Sequence, residues 1–286
     1  MRFITCRLPD GVEDPAILSE DGRQVWPLSW LGLSYETLSE AIPFLTPQVR
    51  YGLSLAIAGI PALPVEAVTL ESPIPVPAQD VICLGINYMA HSDEAEKYSA
   101  AAFATKHEDA IYFSKRVNEA VAPGGDILSH SDLVADLDYE AELAVVIGRP
   151  AHNVSEADAL DYVFGYTILN DVSARTIQNQ HKQWYRGKSL DGFTPMGPWI
   201  VTPDEFDVRR PQKIQSRING ELRQDSTTDL MIFHVPYVIA ELSQGMTLRP
   251  GTIISMGTPA GVGPVRPGDN LRAVLEGREL LNFDIR

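Results

Sequence analysis

The chain has 286 residues, enough to bury a sizeable core as one large domain or as one domain with a smaller companion. Its 23 Lys+Arg against 38 Asp+Glu give a formal net charge of -15, which argues against nucleic acid or an anionic membrane as the main partner while leaving room for a local basic pocket. With two cysteines, Cys6 and Cys83, and no Cys/His cluster at zinc spacing, neither a disulfide scaffold nor a zinc finger is supported, and a reducing compartment is the simpler reading.

In chain order, the opening MRFITCRLPDGVEDP lacks the apolar core of a signal peptide, and no apolar run approaches the ~18 residues of a membrane span, so a cytoplasmic protein is expected. Residues 1–72 mix a strand, RFITC, with helical stretches, SYETLSEAI and QVRYGLSLAIAG, and carry few clustered chemical groups. They are expected to form a small N-terminal α/β accessory domain. The boundary falls at ESPIPVPAQD, where Pro73, Pro75 and Pro77 remove backbone donors and favour an extended path. From 73 to 286 strand-like runs dominate: DVICLGIN, AIYFSK, AELAVVIG, GYTILND, GPWIV, KIQSRING, TIISMGT and LRAVLEG. Asn219-Gly220 signals a hairpin. Ser155 with Asp158 marks a helix start before ALDYVF, and Gly245 closes a helix through YVIAELSQ. So few helices between strands argue against a doubly wound parallel sheet, and the larger part reads as a mixed, β-rich α+β fold.

Four stretches carry chemistry. In DLDYEAELAVVIG, residues 136–148, Glu140 and Glu142 are two apart; side chains alternate across a strand, so both carboxylates point the same way with Cα atoms roughly 6.5 to 7 Å apart. Asp171 ends YTILND, and if the two strands are neighbours the three acids converge. At ~5 Å and an effective dielectric near 20, each like-charge pair costs on the order of 3 kcal/mol. Such a cluster needs a compensating cation or protonation. A hard divalent ion on oxygen ligands answers this, and a solvated edge paired with Lys or Arg is the other reading. In LGINYMAHSDEAEKY, His91 and Glu94 share a face of a helical turn, where a carboxylate can support imidazole as a general base. Ordinary capping by Ser92, with Asp93 and Glu94 at the positive helix end, accounts for the same residues. In YRGKSLDGFTPMGPWIV, a P-loop would need Gly at position 182, which is Lys182, so that reading fails. Lys188 remains, either as an ammonium placed near a bound anion or as an exposed surface lysine. In GTPAGVGP the glycines allow close backbone approach, and the amides with the Thr258 hydroxyl could hold a carboxylate or simply form a turn.

Taken together, LGINYMAH, DYEAELAVVIG, YTILNDVSAR, RGKSLDGFTPMGPWIV and LSQGMTLRPGTIISMGTPAGVG resemble the fumarylacetoacetate hydrolase family over about residues 73 to 275. The resemblance implies a mixed β-roll, usually homodimeric, with a variable N-terminal domain. It implies that Glu140, Glu142 and Asp171 ligate Mg²⁺ or Mn²⁺, and that His91 and Glu94 are a water-activating pair on a lid. It further implies that Lys188 sits near an oxyanion, that Arg175 and Gln178 contact the substrate, and that Thr258 holds the substrate carboxylate. There are two departures. Many members read Gly-Lys-Ser-x-Asp-Thr-Phe where this chain has Gly192 for the Thr, and members often carry Lys-Pro where this chain has Lys115-Arg116.

The implied activity is metal-dependent hydrolysis of a C–C bond in a 2,4-dioxo acid of the acylpyruvate or fumarylpyruvate type. The ion would stabilise enolate charge while His91 with Glu94 activates water and Lys188 holds developing negative charge. An oxaloacetate-type decarboxylase, or an isomerase or hydratase of dienoic 2-oxo acids, would use the same site, and a non-catalytic metabolite-binding protein is a third reading. The polar, alanine-rich SDEAEKYSAAAFATKHED, with no large apolar anchor before Tyr98 and Phe103, is expected to close over substrate.

Overall fold

AELAVVI is apolar at all but one position, and a run of that kind is stable as a strand only when both of its faces are covered. In the computed structural model, which describes residues 1–96 and 109–286, it forms the strand Ala141–Ile147, buried at every position. It pairs antiparallel with Val163–Asn170, which is buried throughout as well. Among the described residues this pair is the centre of an 11-stranded sheet. On one side lie Met196–Val201, Arg2–Arg7, Glu13–Leu18 and Gln24–Pro27; on the other, Ile253–Ser255, Val81–Leu84 and the edge strand Tyr112–Lys115. Most neighbours are antiparallel, but Ile253–Ser255 and Val81–Leu84 run parallel, so the sheet is mixed.

A 5-stranded sheet contains the hairpin of Lys213–Ile218 and Glu221–Thr227, and a 3-stranded sheet joins Ser173–Ala174, Leu137–Tyr139 and Gly263–Val265. The hairpin turns at Asn219 and Gly220, both left-handed with φ of 52° and 84°, as the sequence signal requires. With few helices and this much mixed sheet, the fold is the expected β-rich α+β roll. No helix among the described residues is long and apolar enough to cross a membrane.

The expected boundary near residue 72 does not divide the sheet. Arg2–Arg7 pairs with Met196–Val201, and Phe3, Leu38 and Ile42 pack in one apolar cluster with Val81, Val146 and Phe164. The two expected N-terminal helices are present as Leu38–Ala41 and Pro47–Ala56, each with a threonine N-cap: Thr37 accepts from the Glu40 amide and Thr46 from that of Val49. The helix expected before ALDYVF is a correction. Ser155 does donate to Asp158 at 2.7 Å, but only a 3-10 turn, Ala159–Tyr162, follows. Val163 and Phe164 belong to the buried central strand, and that burial overrides the local start signal.

Candidate active site

Antiparallel pairing of the two central strands does what the separated acid motifs required. Glu140 immediately precedes Ala141–Ile147, Asp171 immediately follows Val163–Asn170, and the Asp171 amide donates to the Glu140 carbonyl at 2.8 Å. Asn170 Oδ1 in turn accepts from the Glu140 amide at 3.0 Å. One carboxylate oxygen each from Glu140, Glu142 and Asp171 then lie within 4.8 Å of one another, and all three residues are buried.

Much of the compensating charge comes from the chain itself. Lys188 Nζ bridges Glu140 Oε2 and Asp171 Oδ2, 2.7 Å from each. Arg175 binds Glu140 with one nitrogen and Asp138 Oδ2 with another at 2.7 Å. Lys115 Nζ lies 2.6 Å from Asp171 Oδ1. For Glu140, burial alone would raise the pKa, but Arg175 and Lys188 outweigh it and hold the carboxyl at about 2. Glu142 is different. It accepts from Ser255 Oγ at 2.6 Å and the Gly257 amide at 2.9 Å, with no cation paired to it among the described residues. Burial first, then the nearby Asp171 and Glu140, push its pKa up to about 8. An all-oxygen, buried set in which one acid lacks a counter-charge fits a hard divalent cation.

A cavity of about 510 Å³ reaches the cluster at Glu140, without Glu142 or Asp171 in its lining, and brings six of the expected residues together: His91, Glu94, Glu140, Arg175, Gln178 and Lys188. Arg175 and Gln178 arrive on the short helix Arg175–Gln180, directly after the segment that carries Asp171, and Arg175 Nη1 donates to Gln178 Oε1 at 3.0 Å. Lys188 ends the turn Tyr185–Lys188, and its ammonium lies 5.3 Å from the ring centre of Phe113. His91 and Glu94 are on the helix Met89–Glu96. His91 Nδ1 is 3.7 Å from Glu94 Oε2 and has no hydrogen-bond partner among the described residues, whereas the same Glu94 oxygen accepts from the Gly261 amide at 3.0 Å. The imidazole, together with the Gly261 and Val262 amides, holds the Glu94 carboxyl below its usual range. Of the expected lid, residues 97–108 lie outside the described residues.

Thr258 lies behind the cavity wall. Its hydroxyl donates to the Ala141 carbonyl at 3.0 Å and accepts from Gln224 Nε2 at 2.7 Å, so its single proton is committed to the framework. At the first departure, Gly192 has a φ of 81°, and a Cβ there would lie 3.0 Å from the backbone and side chain of Leu128. At the second, the Arg116 amide donates to Ser189 Oγ at 3.0 Å, a bond that a proline cannot make. Sequence reasoning missed Asp138, although the alternation linking Glu140 and Glu142 extends one step back to it. Trp184, which also lines the cavity, gave no signal at all.

Residues 80–285 match the family described as fumarylacetoacetate (FAA) hydrolase, C-terminal. The chain belongs to the fumarylacetoacetate hydrolase family. Oxaloacetate tautomerase YisK of Bacillus subtilis is 42% identical over 216 residues, which is 73% of this chain and 70% of that protein. A fumarylacetoacetate hydrolase from psychrophilic Exiguobacterium antarcticum is 36% identical with a TM-score of 0.85, covering 100% of this chain and 99% of that one. A maleylpyruvate hydrolase from Sphingobium sp. SYK-6, in complex with manganese(II) ion and pyruvate, is 27% identical with a TM-score of 0.80, over 100% of this chain and 98% of that one. The relatives of this chain therefore include hydrolases and a tautomerase, and one of them is in complex with a divalent ion.

Proposed function

We propose that this member of the fumarylacetoacetate hydrolase family is a Mg²⁺- or Mn²⁺-dependent hydrolase that cleaves a C–C bond in a 2,4-dioxo acid. The observation that carries the reading is the single cavity in which the His91 and Glu94 pair faces Glu140, Lys188 and Arg175. The Sphingobium relative, with manganese and pyruvate, supports a small 2-oxo acid as the ligand. A divalent ion held by Glu140, Glu142 and Asp171 would act as a Lewis acid on the 2-oxo acid group and stabilise negative charge developing there. The chain's own groups divide the remaining work. Glu94, anionic and beside Nδ1, favours the tautomer with a proton on that nitrogen, which leaves Nε2 of His91 to take a proton from water attacking the distal carbonyl. The ammonium of Lys188 donates toward the charge that moves onto the 2-oxo acid as the C–C bond breaks. Gln178, with Oε1 taken by Arg175, has its amide N–H groups available for a substrate oxygen.

The 42% identity to an oxaloacetate tautomerase favours a second reading, keto–enol interconversion of oxaloacetate at the same site. That reaction needs proton transfer but no attacking water. The two separate on the substrate that wild-type protein turns over, and one variant tests the base of the first. His91→Ala should lower acylpyruvate cleavage by roughly 10²- to 10⁴-fold, the usual worth of a positioned base, while the thermal shift on adding Mg²⁺ stays as in wild type. Wild-type protein that cleaves no acylpyruvate yet equilibrates the oxaloacetate enol and keto forms, followed spectrophotometrically, replaces the first reading with the second.

A further inference from the structure

Lys115 ends the edge strand Tyr112–Lys115 and is completely buried. Its ammonium has two acceptors, Asp171 Oδ1 at 2.6 Å and the Val172 carbonyl at 3.2 Å. Lys188 and Arg175 line the cavity, whereas Lys115 lies outside its lining, fully buried. A buried ammonium is costly unless paired, and an apolar side chain would fill an edge-strand position without that cost. Its presence therefore needs a reason, and its one charged partner is an acid of the cluster. With Oδ1 held by Lys115, Asp171 presents Oδ2 toward Glu140, where Lys188 joins the two. Among the described residues the chain cations Lys115, Lys188 and Arg175 thus pair with Asp171 and Glu140, and none pairs with Glu142.

We propose that Lys115 is a positioning residue, a resident counter-cation that holds Asp171 in place when no divalent ion is bound and restrains the affinity of the cluster for that ion. This rests on the reading of Glu140, Glu142 and Asp171 as the ion's ligands. Lys115 and the ion draw on the same carboxylate and repel each other, so each weakens the other's hold, and the coupling is reciprocal. The lysine keeps the ligands assembled and the ion exchangeable.

The test uses the full chain, stripped of metal and titrated with Mn²⁺ alone by calorimetry, with melting followed in parallel. Lys115→Met removes the charge, and Lys115→Gln removes it while keeping a hydrogen-bond donor for Asp171. Without ion, both variants should melt below wild type; with Mn²⁺, both should bind about tenfold or more tightly, since one positive charge has left the neighbourhood of the ion. A lysine that serves only packing or hydrogen bonding gives unchanged or weaker Mn²⁺ binding, and either result overturns the proposal while leaving the ion site standing. A Lys115→Met chain that stays unfolded at saturating Mn²⁺ overturns it as well, because the ion should take over the missing neutralisation. Wild-type protein that binds no Mn²⁺ removes the ion site itself, which is a different failure.

Discussion

Gly85 lies against the indole of Trp184 so closely that a Cβ there would be 2.3 Å from Cζ3 and 2.7 Å from Cη2. Trp184 is itself held edge-on by Phe113, with ring centres 5.2 Å apart, and both Gly85 and Trp184 line the cavity. Gly85→Ala must therefore displace the indole. We expect it to cost about 1 to 3 kcal/mol of stability, the usual penalty of overpacking, and to raise KM more than it lowers kcat, checked by calorimetry and steady-state kinetics. Contacts of this kind explain what could and could not be read from sequence at single positions. Glu140 was visible in the alternation of a strand, His91 and Glu94 in a helical spacing that allows a base and its partner, and Lys188 in a Gly-punctuated loop, whereas Arg175 and Gln178 were implied only by the family resemblance. Gly85 and Trp184 are far apart in the chain, and neither has a local pattern that announces the other. The charge argument for Glu140 and Glu142 was sound but incomplete, because nothing near them in sequence shows that Lys115, Arg175 and Lys188 will fold onto the same cluster.

Among the elements, the loop after Ile253–Ser255 couples three others. Gly261, at a φ of 98°, donates to Glu94 on the helix Met89–Glu96 and accepts from the Tyr139 hydroxyl at 2.7 Å. A Cβ at Gly261 would be 2.1 Å from the Arg223 carbonyl oxygen on the strand Glu221–Thr227. Backbone cannot yield as a flexible side chain can. Gly261→Ala should therefore strain this left-handed position by roughly 1 to 3 kcal/mol and loosen the Glu94 contact, with faster amide exchange along Met89–Glu96 than in wild type. Unchanged exchange there would show that the loop does not hold the helix. At this scale the apolar strands were legible because burial on both faces leaves an unbroken apolar run. Glu221–Thr227 was implied only by its Asn-Gly turn, since it is mostly exposed and its polar residues show no buried face. Thr258 illustrates the same limit: its motif suggested a ligand contact and nothing in it showed that its hydroxyl donates to the Ala141 carbonyl or that Gln224, on that polar strand, donates to it.

The stability of the whole molecule should follow the protonation of its acid cluster. Arg175 and Lys188 hold the folded Glu140 carboxyl at about 2, below its ordinary 4.5, so its contribution is present above 4.5 and is lost as pH falls toward 2. Glu142 acts in the opposite sense. Its folded pKa of about 8 lies above 4.5, so the folded chain holds the proton more tightly than the unfolded one, and stability is lost as pH rises from 4.5 toward 8. The ion-free chain should thus melt progressively lower across that window, with a loss on the order of a few kcal/mol. A divalent ion reverses the trend, because it competes with the proton for Glu142 and binds the folded state selectively. The rise in melting temperature on adding Mg²⁺ should be small at the acid end of the window and grow toward pH 8. Glu142→Gln should flatten the ion-free profile, since its side chain no longer ionises, and should remove most of the Mg²⁺ effect. Scanning calorimetry across this range, with Mg²⁺ and with chelator, decides the matter: a Mg²⁺ shift that is the same at every pH, or one that survives Glu142→Gln intact, would place the ion somewhere other than on this cluster.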